Sequence, residues 1–103
     1  MRVILRKFTA MNHRKQLGRA TVALPGLGIT IHDCLIYRSP QGLRVQVPGH
    51  PELDAEGRPP RGPLNSEDVP YRPTITFDDY EDKISFCHAV IEAVTKANPE
   101  QFQ

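Results

Sequence analysis

The chain contains no tryptophan, only two cysteines, and no apolar run approaching a membrane span. Each shortage removes a class of protein. A helix needs about 18–20 consecutive apolar residues to cross a bilayer, so no membrane partner is expected. Cys34 and Cys87 are too few for a disulfide framework or a zinc ribbon, and a reduced, cytoplasmic setting is the default for such a chain. The opening Met-Arg-Val-Ile-Leu-Arg-Lys has too short an apolar run to be expected to act as a signal peptide. Net charge is also nearly absent. Thirteen basic against twelve acidic side chains leave +1, which excludes an extreme polyelectrolyte but not a local patch.

What is present is an ordinary globular composition, 39% hydrophobic and 24% charged over 103 residues. That length holds one domain, residues 1–103, with one modest core. Proline is abundant at ten residues, and seven of them fall between Pro48 and Pro73 with three glycines. This stretch, 48–73, is expected to be a long irregular excursion. Charge is segregated along the chain. Residues 1–20 carry Arg2, Arg6, Lys7, Arg14, Lys15 and Arg19 and no acid, whereas residues 74–103 carry six acids against Lys83 and Lys96. Whether that polarity becomes spatial depends on the fold.

Val3 to Phe8 reads as a strand, and the basic, polar stretch Ala10 to Leu17 as a loop. Arg19 to Leu24 reads as a second strand running into Pro25-Gly26-Leu27-Gly28, a turn with two glycines available for positive φ. Ile29 to Tyr37 is the longest strand candidate. Ser39-Pro40-Gln41-Gly42 suits a type I turn, and Leu43 to Val47 alternates with period two. Short connections between these strands predict an antiparallel meander, with Thr74 to Phe77 as a further short strand. A helix follows. Asp78 is a candidate N-cap with Glu81 at capping-box spacing; Tyr80, Ile84, Cys87, Ile91 and Val94 form an apolar stripe that Phe86, Val90, Ala93 and Ala97 widen; and Asn98-Pro99 supplies the stop. The expected fold is α+β: a four- to five-stranded antiparallel β-meander, one C-terminal helix packed on one face, and a long Pro-rich loop.

Alternation assigns the faces. Ile29, Ile31, Asp33, Leu35 and Tyr37 share one side of the third strand, matched by Ala20, Val22, Leu24 and by Leu43, Val45, Val47, so the helix is expected there. The other side would show Arg19, Thr21, Thr30, His32, Arg44 and Gln46, with Cys34 and Ile36 in the same phase. Asp33 is a misfit on the covered side, because a buried carboxylate is costly unless it is bonded. It is expected to accept backbone bonds or to sit at an edge.

The run Ile31-His32-Asp33-Cys34-Leu35-Ile36 followed by Gly42-Leu43-Arg44-Val45-Gln46-Val47-Pro48 resembles the stage V sporulation protein G family, with Gly18-Arg19-Ala20-Thr21-Val22 similar to its preceding strand. The resemblance covers residues 18–48 and, loosely, the helix around Ala89 to Val94. It implies a small α+β domain, a homodimer, and a bacterial regulator that binds DNA or RNA. In that family basic residues near the helix are implicated in nucleic-acid contact, whereas here the basic charge lies mainly before residue 20.

The expected function is therefore a small dimeric DNA- or RNA-binding regulatory protein of bacterial or mobile-element type. Arg6, Lys7, Arg14, Lys15 and Arg19 are the candidate phosphate contacts, and His32 and Arg44 extend the patch across the open face. No aromatic is expected on that face, which disfavours base stacking. The alternative is a non-enzymatic protein-interaction module in which Arg58-Pro59-Pro60-Arg61-Gly62-Pro63 docks a partner in extended conformation. No catalytic site, metal or cofactor is expected. His88 and Glu92 share a helical face but lack converging ligands, Cys87 lies on the apolar stripe, and no phosphate-binding glycine loop opens a helix.

Overall fold

The structure is a computed structural model and describes residues 1–51 and 71–102. The Pro-rich motif from Arg58 to Pro63, and with it the middle of the expected loop, lies outside the described residues. Strands β1 (Ile4–His13), β2 (Gln16–Leu24), β3 (Ile29–Ser39) and β4 (Gly42–Gln46) form one antiparallel sheet in chain order. β5 (Gly49–Pro51) and β6 (Tyr71–Pro73) form a separate two-stranded antiparallel sheet. Helix α1 (Tyr80–Ala97) and a 3-10 turn (Pro99–Phe102) complete the described chain. The expected α+β architecture, a four-stranded meander with one C-terminal helix, is what forms.

Two segments differ from the sequence reading. Ala10 to Leu17 is not a loop. β1 continues to His13, which pairs with Gln16 across the two residues Arg14 and Lys15. The far end of β1 is polar because it is an edge strand with solvent around it, so no apolar alternation marks it. Arg14 takes φ +57, in the left-handed region that side chains seldom adopt. Thr74 to Phe77 is not a strand; Ile75 and Phe77 instead pack against the core from irregular chain. The pairing falls earlier, on Tyr71–Pro73, within the stretch expected to be irregular.

The largest difference lies in β3. Val22 is opposite Ile31 and Ala20 opposite Cys34, so His32 and Asp33 together face the single residue Thr21. This is a β-bulge, and Asp33 carries it at φ +60. Aspartate tolerates that conformation better than most side chains. A bulge resets the two-residue period, so every later side chain changes face. Ile31 points to the core before the bulge, and Cys34 and Ile36, both fully buried, do so after it. Leu35 and Tyr37 move to the opposite face. The expected placement is thus reversed for four residues: Leu35 and Tyr37 leave the helix-covered side, and Cys34 and Ile36 enter it. The misfit of Asp33 has the same cause, since the residue is exposed and not buried.

The core joins Ala20, Val22, Leu24, Ile31, Cys34 and Ile36 of the sheet to Phe86, Val90 and Val94 of α1. Those three helical residues are spaced by four and form the centre of the apolar stripe. Tyr80, expected on the stripe, is 72% exposed. The N-cap is Asp79, one residue later than expected, and its carboxylate accepts from the Glu81 N–H at 2.9 Å. At the other end, Gln101 Nε2 donates to the carbonyls of Leu17 (2.7 Å) and Met11 (2.8 Å), which pins the 3-10 turn beneath the β1–β2 hairpin. Phe8 meets Phe102 there with ring centroids 5.6 Å apart. Gly18 makes room for this contact. A Cβ at that position would lie 2.6 Å from Phe8 Cε2 and 2.8 Å from the Thr9 carbonyl oxygen.

Candidate nucleic-acid interface

The face of the four-stranded sheet away from α1 can be built from the pairing register, because directly opposed residues share a face. One row runs Thr9, Arg19, Leu35, Gln46 across all four strands. Tyr37 and Arg44 are opposed in the next row. On the other side of Arg19, Lys7 is opposed to Thr21, and Thr21 to the bulge residues His32 and Asp33. Lys7, Arg19, His32 and Arg44 are exposed, and Tyr37, Leu35 and Gln46 are half-buried. Among the described residues no ion pair engages Lys7, Arg19 or Arg44.

Of the seven basic residues expected to form the patch, the sheet thus brings Lys7, Arg19 and Arg44 onto one face, with His32 at its bulge. Arg14 and Lys15 form the hairpin turn at one end of the sheet, where the Arg38 N–H donates to the Lys15 carbonyl at 2.8 Å. That bond ties the turn to β3 and keeps it from projecting as a free ribbon. Arg6 stands apart. It is the extra residue in the irregular pairing between Leu5 and Lys7 on the outer strand.

Charge that is segregated along the sequence becomes segregated across the fold. Residues 1–50 contain a single acid, Asp33. The acids Asp78, Asp79, Glu81, Asp82 and Glu92 belong to α1 and the turn leading into it. Glu100 lines an open cleft with Phe8 and Ala10 on the helix side of β1. Among the described residues the helical layer is acidic and the open sheet face basic.

Tyr37 and Leu35 are the members of this face that sequence alternation misplaces. The available signal is Asp33 itself, an acid standing in an apolar phase with a second apolar phase, Cys34 and Ile36, beginning just after it. Two misplaced periods meeting at an aspartate are what a bulge produces.

The two thiols lie on the covered side. Burial, reinforced by the nearby Asp33 carboxylate and by Cys87, pushes the Cys34 thiol up to about 12. Burial also raises Cys87, opposed by the positive charges of Lys83 and Arg44. Neither is poised as a nucleophile near neutral pH. Among the described residues no three His, Cys, Asp or Glu side chains gather to hold a metal, and no helix is long and apolar enough to cross a membrane. Comparison of the chain with protein-family models, curated proteins and solved structures finds no match.

Proposed function

We propose that this protein is a small DNA- or RNA-binding regulatory protein, dimeric and of bacterial or mobile-element type, that receives the nucleic-acid backbone on its open sheet face. The observation that carries the reading is the group of cations Lys7, Arg19 and Arg44 on one sheet face, in no ion pair among the described residues, with the acids of α1 on the helical side. A polyanion approaching such a molecule is drawn to one face and repelled from the other. The likeness of residues 31–36 and 42–48 to the stage V sporulation protein G family points the same way. Dimerisation is supported by the edge strands of the sheet, the outer sides of β1 and β4, which pair with no further strand among the described residues.

The test is binding of the purified chain to random DNA and RNA pools across a salt series. Affinity should fall as salt rises, with a log–log slope of about 0.7–0.9 for each phosphate neutralised. Arg19→Glu with Arg44→Glu should weaken binding and flatten the slope by about two contacts. Wild-type protein that shows no binding at low salt, or a double variant that binds as well as wild type, refutes the reading.

A further inference from the structure

The nucleic-acid reading leaves open whether the strand is single or paired, and the geometry of the open face bears on that choice. Three observations combine. The first is the width of the face. Lys7 on β1 and Arg44 on β4 are three strand spacings apart across the sheet, ~14 Å in that direction, and among the described residues no helix covers this face. The major groove of a duplex, about 12 Å wide, admits a helix or a two-stranded ribbon and not a four-stranded sheet. The hairpin turn that could serve as such a ribbon is bonded to β3 through the Lys15 carbonyl.

The second observation is Tyr37. Among the described residues it is the aromatic of the open face, opposed directly to Arg44 on β4 and Gln16 on β2 and diagonal to Arg19 through the neighbouring Leu35 row. A half-buried ring rising from a sheet between Gln16 and Arg44, with Arg19 diagonal to it, suits a flat partner. In a duplex the base faces are hidden in the stack, whereas a single strand can present one to the ring. The third is the bulge at Asp33. It adds one residue to β3 and thereby turns Tyr37 and Leu35 outward, while Cys34 and Ile36 go in. Bulges recur where a strand must re-aim a side chain.

We infer that the open sheet face binds single-stranded nucleic acid, with one base stacked on Tyr37 and the flanking phosphates on Arg19 and Arg44. This rests on the nucleic-acid reading above, and the test separates the two. Fluorescence anisotropy is measured with labelled oligo-dT, oligo-U and a blunt duplex of equal length at one ionic strength. The single strands should bind more tightly than the duplex. Tyr37→Leu should weaken single-strand binding about tenfold and leave duplex binding unchanged, whereas Tyr37→Phe, which keeps the ring, should bind like wild type. The chain has no tryptophan and three tyrosines, so stacking should also quench tyrosine emission, and that quench should vanish in Tyr37→Phe although its binding persists.

If no oligonucleotide of either kind binds, the nucleic-acid reading itself fails. Duplex binding that equals or exceeds single-strand binding, with Tyr37→Leu neutral, overturns only the single-strand inference. Sedimentation in which Tyr37→Arg converts a dimer to a monomer would make the face a contact between two copies of the chain, and would also overturn it. A melting curve of Tyr37→Leu like that of wild type confirms that loss of binding is not loss of fold.

Discussion

The bulge in β3 makes a counter-intuitive prediction: deleting Asp33 should do less harm than deleting Leu35 two positions away. With Asp33 removed, the strand reads Ile31, His32, Cys34, Leu35, Ile36. Plain alternation then directs Ile31, Cys34 and Ile36 inward and His32 and Leu35 outward, with His32 alone opposite Thr21. Every core residue keeps its place. The deletion also removes a non-glycine residue from φ +60, a conformation that costs roughly 1–2 kcal/mol and less for aspartate. That relief offsets the loss of the local twist a bulge supplies. The net change should stay within about 1 kcal/mol, or roughly 4–8 °C in Tm for a domain this small.

Deletion of Leu35 has no such escape. If the bulge is kept, Ile36 turns out of the core and Tyr37 turns in. Ile36 is fully buried, and exposing it costs roughly 1.5–3 kcal/mol before any rearrangement. If instead the strand straightens to absorb the deletion, Ile36 keeps its place, but the Asp33 carboxylate is driven inward and Cys34 outward. An unpaired carboxylate in an apolar core is costlier still. Either path loses about 2 kcal/mol or more. Urea denaturation of the two variants against wild type measures the difference, and thiol labelling reports the path. Cys34 should remain protected after Asp33 deletion. Equal destabilisation of the two variants, or rapid labelling of Cys34 when Asp33 is removed, would refute the reasoning.

Two further outcomes test the core. Gly18→Ala should destabilise by about 1–3 kcal/mol, because the new methyl would overlap the Phe8 ring and approach the Thr9 carbonyl oxygen to 2.8 Å; a melting temperature equal to that of wild type would show that β1 can yield there. Cys34 predicts an alkaline limit. Its thiol is raised from 9.0 to about 12 in the fold, so above pH 9 the unfolded chain sheds a proton that the folded chain retains. Stability from this group is complete below pH 9 and is lost as pH rises towards 12; a Cys34→Ala variant with an unchanged decline over that range would assign the loss to other groups.

Legibility in the sequence follows burial. β4 is plain because one side of it is buried, so Leu43, Val45 and Val47 alternate with Arg44 and Gln46. The turn before it is equally plain. Gly42 sits at φ +116, and the Ser39 hydroxyl accepts from the Gln41 N–H and donates to the Gly42 carbonyl, the turn chemistry that serine and glycine signal. The outer half of β1 is hidden because an edge strand in solvent has no reason to alternate. The helix is plain in extent and not in rotation, since Phe86, Val90 and Val94 share a broad stripe with residues that end up half-exposed. The basic members of the open face are legible because β2 and β4 each keep one phase through Arg19 and Arg44. Its aromatic member is not, because one residue inverts the rest of β3, and alternation rules have no memory of an insertion.

The net charge of +1 conceals the property that matters, and the order of elements explains how. The meander uses the basic first half of the chain to build the sheet before the chain crosses over to lay down the helix. In such a two-layer fold, a difference between early and late sequence becomes a difference between faces. Acids in α1 are held away from Lys7 and Arg19, since the thickness of the core lies between them, whereas Arg44 on β4 stands near enough to the helix for its charge to reach Cys87. The same residues shuffled along the chain would keep the total charge and remove the field. The proposed affinity for a polyanion would thus depend on topology as much as on composition, and the bulge at Asp33 adds a feature that charge does not supply, the Tyr37 ring beside the cations.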